Sequence, residues 1–348
     1  MALATPSLWN NLIIRERGES PLSHVPDLSL IPIVLERAGA VPLNTHFSYH
    51  PHNRSAAECW ATILPYVARV VDMSRTLEIS LEYLCRPLDI LSKPFPLPSL
   101  RHLWLAWGAD ACPIDQCVDL SQAVSIASLS ISTRPHWTLP DHDRNTRVHL
   151  RFPEMCALIV LTLKGRFVIA DVVSAVASCA SRLRSLTLDI DASDRIVQDA
   201  ECPANLQLSR LHFLDVKGPF SVVFIRAINA PKLRKLAAHS SDGVSSETGD
   251  RRLPEDVWMS FLTAHPTLRT LGCMDIAFAQ RVLPADNSEP HTPLLPKLQI
   301  LLINCWNIDA EGIAILRGSA MRLQRLGKWK RMMRLMSPRS NGSSLNSL

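Results

Sequence analysis

The densest group of histidines in the sequence is His46, His50 and His52. Imidazole rings two to four residues apart can converge on one ion, so this group has a spacing that permits a metal site. The same residues also fit the polar end of a strand that is followed by a turn at Pro51. We favour this structural interpretation and predict no metal site here.

A second group, Asp141-His142-Asp143, also carries metal-binding residue types. It lies in a polar, turn-rich segment that we predict to be a loop, and no cysteine or further acid stands at a diagnostic spacing. The sequence lacks the glycine-rich phosphate loops, the G-x-S-x-G nucleophile elbow and the H-E-x-x-H zinc helix. We therefore predict a protein that is not an enzyme and that binds no cofactor or metal.

The sequence contains nine cysteines, an odd number, and no pair has the C-x-x-C spacing of zinc and redox sites. This usage is typical of a reducing compartment, in which cysteine serves as a small apolar residue. The N-terminus lacks the basic and apolar regions of a secretory signal. We therefore expect a cytoplasmic or nuclear protein.

The 37 basic and 32 acidic residues give a net charge of +5 and are spread along most of the chain. This balance gives no electrostatic reason to expect nucleic acid as a partner. The sequence has no run of about 20 apolar residues, so we also expect no membrane span.

The elements that would position a binding surface come from a short sequence motif that recurs along the chain, which we call the leucine phrase. Its clearest copy is His265-Pro-Thr-Leu-Arg-Thr-Leu271, which follows apolar residues at helical spacing from Val257 to Leu262. The first apolar residues of the eight copies are Leu100, Ile126, Leu158, Leu183, Leu211, Leu233, Leu268 and Leu298. Repetition at roughly 20–30 residues with a strand and a helix per unit is typical of a leucine-rich solenoid. We predict an α/β fold of this class with irregular repeats, a curved parallel sheet on the concave face and helices on the convex face.

Further elements follow from periodicity. The alternation in Leu77–Leu81 predicts a strand of a cryptic first repeat, and apolar stripes predict helices over Phe167–Ala180 and Phe220–Ile228. Polar, turn-rich or proline-rich composition predicts loops over 133–151, 240–252 and 284–296.

In each phrase the leucines should point into the core, and the residues between them should point outward on the concave sheet. We predict from these positions a protein-binding surface that comprises His102, Trp104, Thr162, Lys164, Thr187, Asp189, Asp215, Lys217, Lys235 and His239. Trp104 is the leading candidate for an anchor, because aromatic residues are frequent among interface hot spots. The alternative for Trp104 is burial beneath an adjacent loop.

Two segments resemble a known family. Ala2-Leu-Ala-Thr-Pro-Ser-Leu-Trp-Asn-Asn-Leu12 looks like the segment after the F-box helices in fungal, basidiomycete-type F-box/leucine-rich-repeat proteins. Ile33-Val-Leu-Glu-Arg-Ala-Gly-Ala-Val-Pro-Leu43 is similar to the phrase that opens their repeat region. The resemblance implies a non-catalytic scaffold, the substrate-recognition arm of a ubiquitin-ligase receptor, which binds a target protein while other subunits transfer ubiquitin.

The F-box itself, which would dock on a Skp-type adaptor of a cullin ligase, should precede these segments and is missing from the sequence. We expect Skp and cullin as partners only if an F-box exists upstream. A truncated gene model and a diverged family member would each explain its absence. The alternative function is a stand-alone leucine-rich-repeat adaptor or decoy that recruits no ligase.

The expected domain organisation is a lead-in over 1–30, a degenerate solenoid over 31–320 and a basic, partly disordered tail over 321–348. Within the tail, Gly327–Met336 is amphipathic if it is helical. Such a helix could contact a membrane surface, a nuclear-import receptor or an acidic partner. We favour a capping helix that covers the last repeat.

Overall fold

The computed structural model describes residues 5–15, 30–49, 70–81, 99–107, 116–133, 147–153, 156–190, 205–218, 220–239, 255–273, 295–303 and 333–335. The chain forms two compact units. The first is Met1–Leu183 with Ile190–Ala192 and Asp199–Glu201, and the second is Arg184–Asp189 with Ser193–Gln198 and Cys202–Leu348. Each unit is described by itself.

The described part of the first unit contains eight strands: β1 (Asn11–Arg15), β2 (Leu43–Tyr49), β3 (Ser74–Leu81), β4 (His102–Trp107), β5 (Gln116–Asp119), β6 (Ser128–Thr133), β7 (Val148–Arg151) and β8 (Val160–Gly165). Six of them form a parallel sheet in the order β1-β2-β3-β4-β6-β8. β5 and β7 form a separate parallel pair. The strand predicted at Leu77–Leu81 is confirmed as β3, and the sequence did not predict that β1 and β2 extend the same sheet.

Equivalent leucines lie side by side in this sheet. The register aligns Leu77 with Leu103, Leu103 with Leu129, and Leu129 with Leu161. All four are at most 2% exposed. A single strand and helix cannot cover such a row, so each strand depends on its neighbours for burial. Burying a leucine side chain contributes about 1.5–3 kcal/mol, which makes this row a principal source of stability.

Two helices of the first unit are described over their printed length, α1 (Leu30–Ala38) and α2 (Ile169–Cys179), and residues 70–73 are the helical turn directly before β3. The structure confirms the predicted helix α2, with Val172, Val176 and Cys179 fully buried on one stripe. A short 3-10 helix, Pro6–Trp9, precedes β1 and places the Trp9 ring 4.7 Å from the Arg37 guanidinium carbon.

The prediction of a loop over the whole of 133–151 is wrong at both ends, because Thr133 ends β6 and Val148–Arg151 forms β7. Residues 134–146 lie outside the described residues. Val148 and Leu150 are buried there, and β5 supplies its backbone partners. The Asp171 carboxylate, in the first turn of α2, accepts a hydrogen bond from the Leu150 amide at 3.1 Å and pairs with His149 Nδ1 at 3.0 Å. The acidic side chain also complements the positive end of the helix. These contacts attach β7 to α2.

Asp119, at the end of β5, has several polar contacts. Its carboxylate accepts a hydrogen bond from the Ser121 amide at 2.9 Å and lies 3.8 Å from the Arg151 guanidinium. Burial by itself would raise the pKa of this carboxyl, but the Ser121 hydrogen bonds and Arg151 outweigh it and lower the pKa. Asp119 therefore serves to close the β5–β7 pair as a charged group.

The described part of the second unit also contains eight strands: β9 (Ser185–Ile190), β10 (Leu206–Gln207), β11 (Phe213–Lys217), β12 (Ile228–Asn229), β13 (Lys235–His239), β14 (Thr270–Cys273), β15 (Ile300–Ile303) and β16 (Met333–Leu335). The parallel sheet has the order β9-β11-β13-β14-β15-β16. A continuous row of buried leucines crosses it, composed of Leu186, Leu214, Leu236, Leu271 and Leu301. Across the two units, all eight leucine phrases form strands, as predicted.

Helices α3 (Phe220–Ala227) and α4 (Glu255–Ala264) are the helices in the described part of the second unit. They pack against each other, and each buries two aromatic residues, Phe220 and Phe224 in α3 and Trp258 and Phe261 in α4. α3 ends at Ala227, one residue before the predicted end, because Ile228 begins β12 and pairs with Leu206. None of the helices in the described ranges combines the length and apolar character that a membrane span requires.

Residues 333–335 correct the predicted helix in the basic tail. They form β16, which pairs in parallel with β15 and aligns Leu301 with Met333. A strand is favoured because its backbone pairs with that of β15. The rest of Gly327–Met336, the disordered end predicted for the tail, the loop over 240–252 and nearly all of the loop over 284–296 lie outside the described residues.

Candidate functional site

One side of the first unit's sheet is half-exposed and carries polar and aromatic side chains. On β3, Leu77 and Ile79 are buried, and the alternate residues Thr76, Glu78 and Ser80 are more exposed. The same alternation occurs on β2, β4, β6 and β8, since successive side chains of a strand point to opposite faces. We call this surface the half-exposed face of the first unit.

A groove with a volume of about 490 Å³ opens on this face. Its lining residues are His46, Thr76, Leu77, Glu78, His102, Leu103, Trp104, Ser128 and Ser130. They come from four neighbouring strands, β2, β3, β4 and β6. Parallel register places equivalent positions of the repeats next to one another, which is how residues more than 80 positions apart in the sequence reach one site.

Trp104 occupies the middle of the groove. It stands beside Glu78 of β3 on one side and Ser130 of β6 on the other. Trp104 is half-exposed, whereas Trp107 of the same strand points to the core and is 4% exposed. Trp104 therefore lines the groove, and its role as a binding anchor stays a prediction.

His46 and Glu78 form the polar end of the groove. The Nδ1 atom of His46 lies 2.6 Å from Glu78 Oε2, and the side chains are 22% and 44% exposed. A carboxylate can only accept, so Nδ1 carries the proton and Nε2 is left for a further partner. The pair thus presents an oriented imidazole on β2, two strands away from Trp104 in the same groove.

The groove offers an aromatic surface, an imidazole–carboxylate pair, hydroxyl groups and the exposed ring of His102. An apolar anchor surrounded by donors and acceptors is the composition of a protein-binding surface. Side chains of a polypeptide can pack on Trp104 while its backbone amides and carbonyls meet the surrounding polar groups.

The structure brings only some of the predicted surface residues into the groove. His102 and Trp104 line it, and Thr162 and Lys164 lie on β8 of the same face, beyond β6. In the second unit, Thr187 aligns with Asp215, and Asp189 aligns with Lys217, which in turn aligns with His239. Lys235 aligns with Phe213 and Thr270. The binding roles of all ten residues stay predictions.

Asp215 requires a correction, because it was expected to be exposed and is 8% exposed. Its short side chain stands between Phe213 and Lys217, the larger residues two positions away on the same face of β11. Register also places Thr187 and Ala237 directly beside it. Neighbouring side chains on a strand face can cover a short one, so Asp215 offers little surface to a partner.

Sequence reasoning missed His46, Thr76 and Glu78 as components of the site, since it assigned no concave-face residues to β2 or β3. The alternation in Leu77–Leu81 was recognised, and the outward positions of that strand could have been taken from it. The segment Leu43–Tyr49 alternates in the same manner, with Leu43 and Phe47 buried.

The structure also locates part of the histidine group. His46 lies in β2 and pairs with Glu78, while His50, His52 and Asp141–Asp143 lie outside the described residues. Within the described ranges, no three His, Cys, Asp or Glu side chains are grouped so that they could hold a metal ion.

Comparison of the chain with protein-family models, with curated proteins and with solved structures finds no match. The function is therefore inferred from the chain's own residues.

Proposed function

We propose that the chain is a leucine-rich-repeat solenoid that serves as a non-catalytic scaffold for binding another protein. The observation that carries the proposal is the groove centred on Trp104, built from equivalent positions of neighbouring parallel strands. Within each unit, consecutive leucine phrases form adjacent strands and their leucines meet in one buried row. Stacking of units that cannot bury their own apolar faces is the physical basis of solenoids.

The groove is the proposed target-binding surface. Trp104 supplies a rigid apolar anchor, and the His46–Glu78 pair and His102 supply directional hydrogen bonds. Fully desolvated aromatic anchors contribute most of the binding energy in many interfaces, and the surrounding contacts exclude water. The bound target is expected to be a segment of another polypeptide.

The resemblance to F-box/leucine-rich-repeat proteins suggests the biological setting. On this proposal the solenoid is the substrate-recognition arm of a ubiquitin-ligase receptor, and the Skp adaptor and cullin are recruited through an upstream F-box. A stand-alone adaptor or decoy would use the same groove without recruiting a ligase. Fold resemblance alone does not decide between these roles.

A test with purified components separates the two roles. The chain, and a version extended by the upstream coding sequence, would be mixed with a Skp-type adaptor and examined by size-exclusion chromatography with light scattering. Adaptor binding by the extended version alone supports the ligase role. Absence of binding by both versions leaves only the adaptor or decoy.

The groove is tested by comparing the proteins captured by the wild type and by W104A. A matched control is V124A, since Val124 is a 55% exposed apolar residue of the first unit that does not line the groove. Proteins that W104A loses and V124A keeps are candidate targets, and direct titration of each then measures its affinity. If W104A and V124A capture the same proteins as the wild type, the groove is not the binding surface.

A further inference from the structure

The leucine phrases of the second unit place a hydrophilic side chain at one constant position. The residue directly after the first leucine is Arg184, His212, Arg234, Arg269 and Gln299 in successive phrases. The carbonyl oxygen of each of the first four accepts a hydrogen bond, at 2.8–2.9 Å, from the amide of the equivalent residue in the next phrase. These residues therefore follow one another at the spacing of neighbouring strands, about 4.8 Å.

A second position of the leucine phrase adds further basic side chains to this row of residues. The residue directly before the first leucine is basic in four of the five phrases, and three of these residues, Arg210, Lys232 and Lys297, belong to the second unit and are exposed. The fourth, Arg182, belongs to the first unit. Arg184, Arg234 and Arg269 are exposed as well, and His212 is half-exposed. We define the basic edge of the second unit as Arg184, Arg210, His212, Lys232, Arg234, Arg269 and Lys297.

The basic edge contains no compensating acidic residue in the described segments. Residues 205–214, 230–236, 264–271 and 295–300 hold neither aspartate nor glutamate. Burial first, and then Arg234, Arg184 and Lys232, lower the pKa of His212, which agrees with a set of cations facing one another at this edge. The chain as a whole is nearly balanced in charge, so the concentration of positive charge is local to this edge.

We propose that the basic edge binds an acidic segment of a partner protein, rich in aspartate or glutamate. Guanidinium groups bind carboxylates with two parallel hydrogen bonds, and arginine provides four of the seven side chains. A row of like charges at strand spacing repels itself, and a bound row of carboxylates removes that repulsion. No residue of the basic edge lines the groove of the first unit, so the proposal does not depend on the function proposed for that groove.

A protein segment fits the edge better than a nucleic acid. Proteins that bind single strands without sequence preference combine cations with aromatic side chains on which bases stack. The only ring among the seven residues is that of His212. It is half-buried, and burial is the main reason that its pKa is lowered, so the edge offers bases little aromatic surface for stacking. Single-stranded nucleic acid is accordingly the competing ligand in the test.

The test is fluorescence anisotropy with the full chain. The probe is a fluorescein-labelled peptide in which glutamate alternates with glycine, and a glutamine peptide of the same length is the neutral control. We expect saturable binding of the glutamate peptide that weakens steeply with salt, because exposed charges are screened. Absence of saturable binding, or equal binding of the glutamine peptide, overturns the proposal without use of any variant. Tighter binding of a single-stranded oligonucleotide than of the acidic peptide also overturns it.

Charge-removing variants then locate the site. R234Q and R269Q should each weaken peptide binding about fivefold, and the double variant more, since each removes a charge-assisted hydrogen bond. R226Q is the matched control, because Arg226 is exposed on α3 of the same unit and outside the edge. Equal weakening by R226Q would show that only net charge matters and would overturn the proposed site. W104A, in the first unit, should leave peptide affinity unchanged, which separates this surface from the groove.

Discussion

His265 and Ala230 are joined by a buried hydrogen bond that connects α4 to the end of β12. The Ala230 amide donates to Nε2 of His265 at 3.2 Å, and Nδ1 of the same ring donates to the Phe261 carbonyl at 2.7 Å. The ring is 2% exposed and stacks on Phe261 with 4.0 Å between centroids. Both nitrogens are engaged as they are in neutral imidazole, so protonation would break the bond to Ala230.

This relationship predicts an acid-sensitive stability. Burial lowers the pKa of His265 below its ordinary value of 6.5, although the bond to Phe261 opposes the shift. As pH falls through 6.5, the unfolded chain binds a proton before the folded chain does, so the free energy of unfolding decreases. Above that pH the contribution is fully present. Denaturant unfolding of wild type and H265Q between about pH 7.5 and about pH 5 should show a shallower pH dependence for H265Q.

The exposed His102 provides the control for this experiment. H102Q is measured alongside, because it removes an exposed imidazole rather than a buried one. Identical pH profiles for wild type and H265Q would contradict the assigned role of His265.

The sequence predicts the strands of the fold better than its polar contacts. All eight leucine phrases become strands because the leucine spacing is itself the packing requirement: a residue such as Leu214 must meet Leu186 and Leu236. Helix α2 is predicted equally well from its apolar stripe, since Val172 and Val176 share one helix face.

The β5–β7 pair and the groove depend on contacts between distant segments. Val148–Arg151 is short and follows a polar stretch, and its partner strand lies 32 residues earlier. His46 and Glu78 are likewise 32 residues apart, and their pairing depends on the register of β2 and β3, which includes an irregularity between Leu43 and Asn44. No local pattern encodes such a register, so the polar end of the groove could not be derived from spacing.

Gly165 and Thr133 provide a prediction about backbone conformation. Gly165 ends β8 with a φ of +118°, and a Cβ atom there would collide with Thr133 Oγ1 and its carbonyl group. Thr133 is fully buried and accepts a hydrogen bond from the Arg166 amide at 3.0 Å, so it cannot move away without breaking that hydrogen bond. We expect G165A to lower the free energy of unfolding by about 3 kcal/mol, at the upper end of backbone strain costs.

Gly39 supplies a matched control for the collision. It also has a positive φ, +58°, but a Cβ atom there would meet nothing within 4 Å. G39A should lower the free energy of unfolding by only about 1 kcal/mol, which is the strain of the left-handed backbone region. Thermal and urea unfolding of both variants measure the difference, and equal costs would show that Thr133 does not restrict Gly165.

Cys179 should be chemically inert in the folded protein. It is fully buried on α2, and its thiol donates to the Ala175 carbonyl at 3.1 Å. Burial raises the pKa of this thiol to about 12, and the thiolate is the reactive form. Mass spectrometric mapping of N-ethylmaleimide labelling at pH about 8 should show Cys117, which is half-exposed, modified well before Cys179. Comparable labelling rates in the absence of denaturant would place Cys179 at the surface.

Trp104 and Trp107 lie on opposite faces of β4, and only Trp107 lies on the fully buried face. Trp107 is 4% exposed and packs in the core, so W107A should cost about 3–5 kcal/mol of unfolding free energy. Trp104 is half-buried in the groove, so W104A should lower the free energy of unfolding by about 1–2 kcal/mol, less than W107A, because less apolar surface returns to water. Urea unfolding monitored by circular dichroism measures both values without relying on tryptophan fluorescence. A cost for W104A as large as that for W107A would mean that Trp104 is part of the core, and the loss of a partner by this variant would then report on folding.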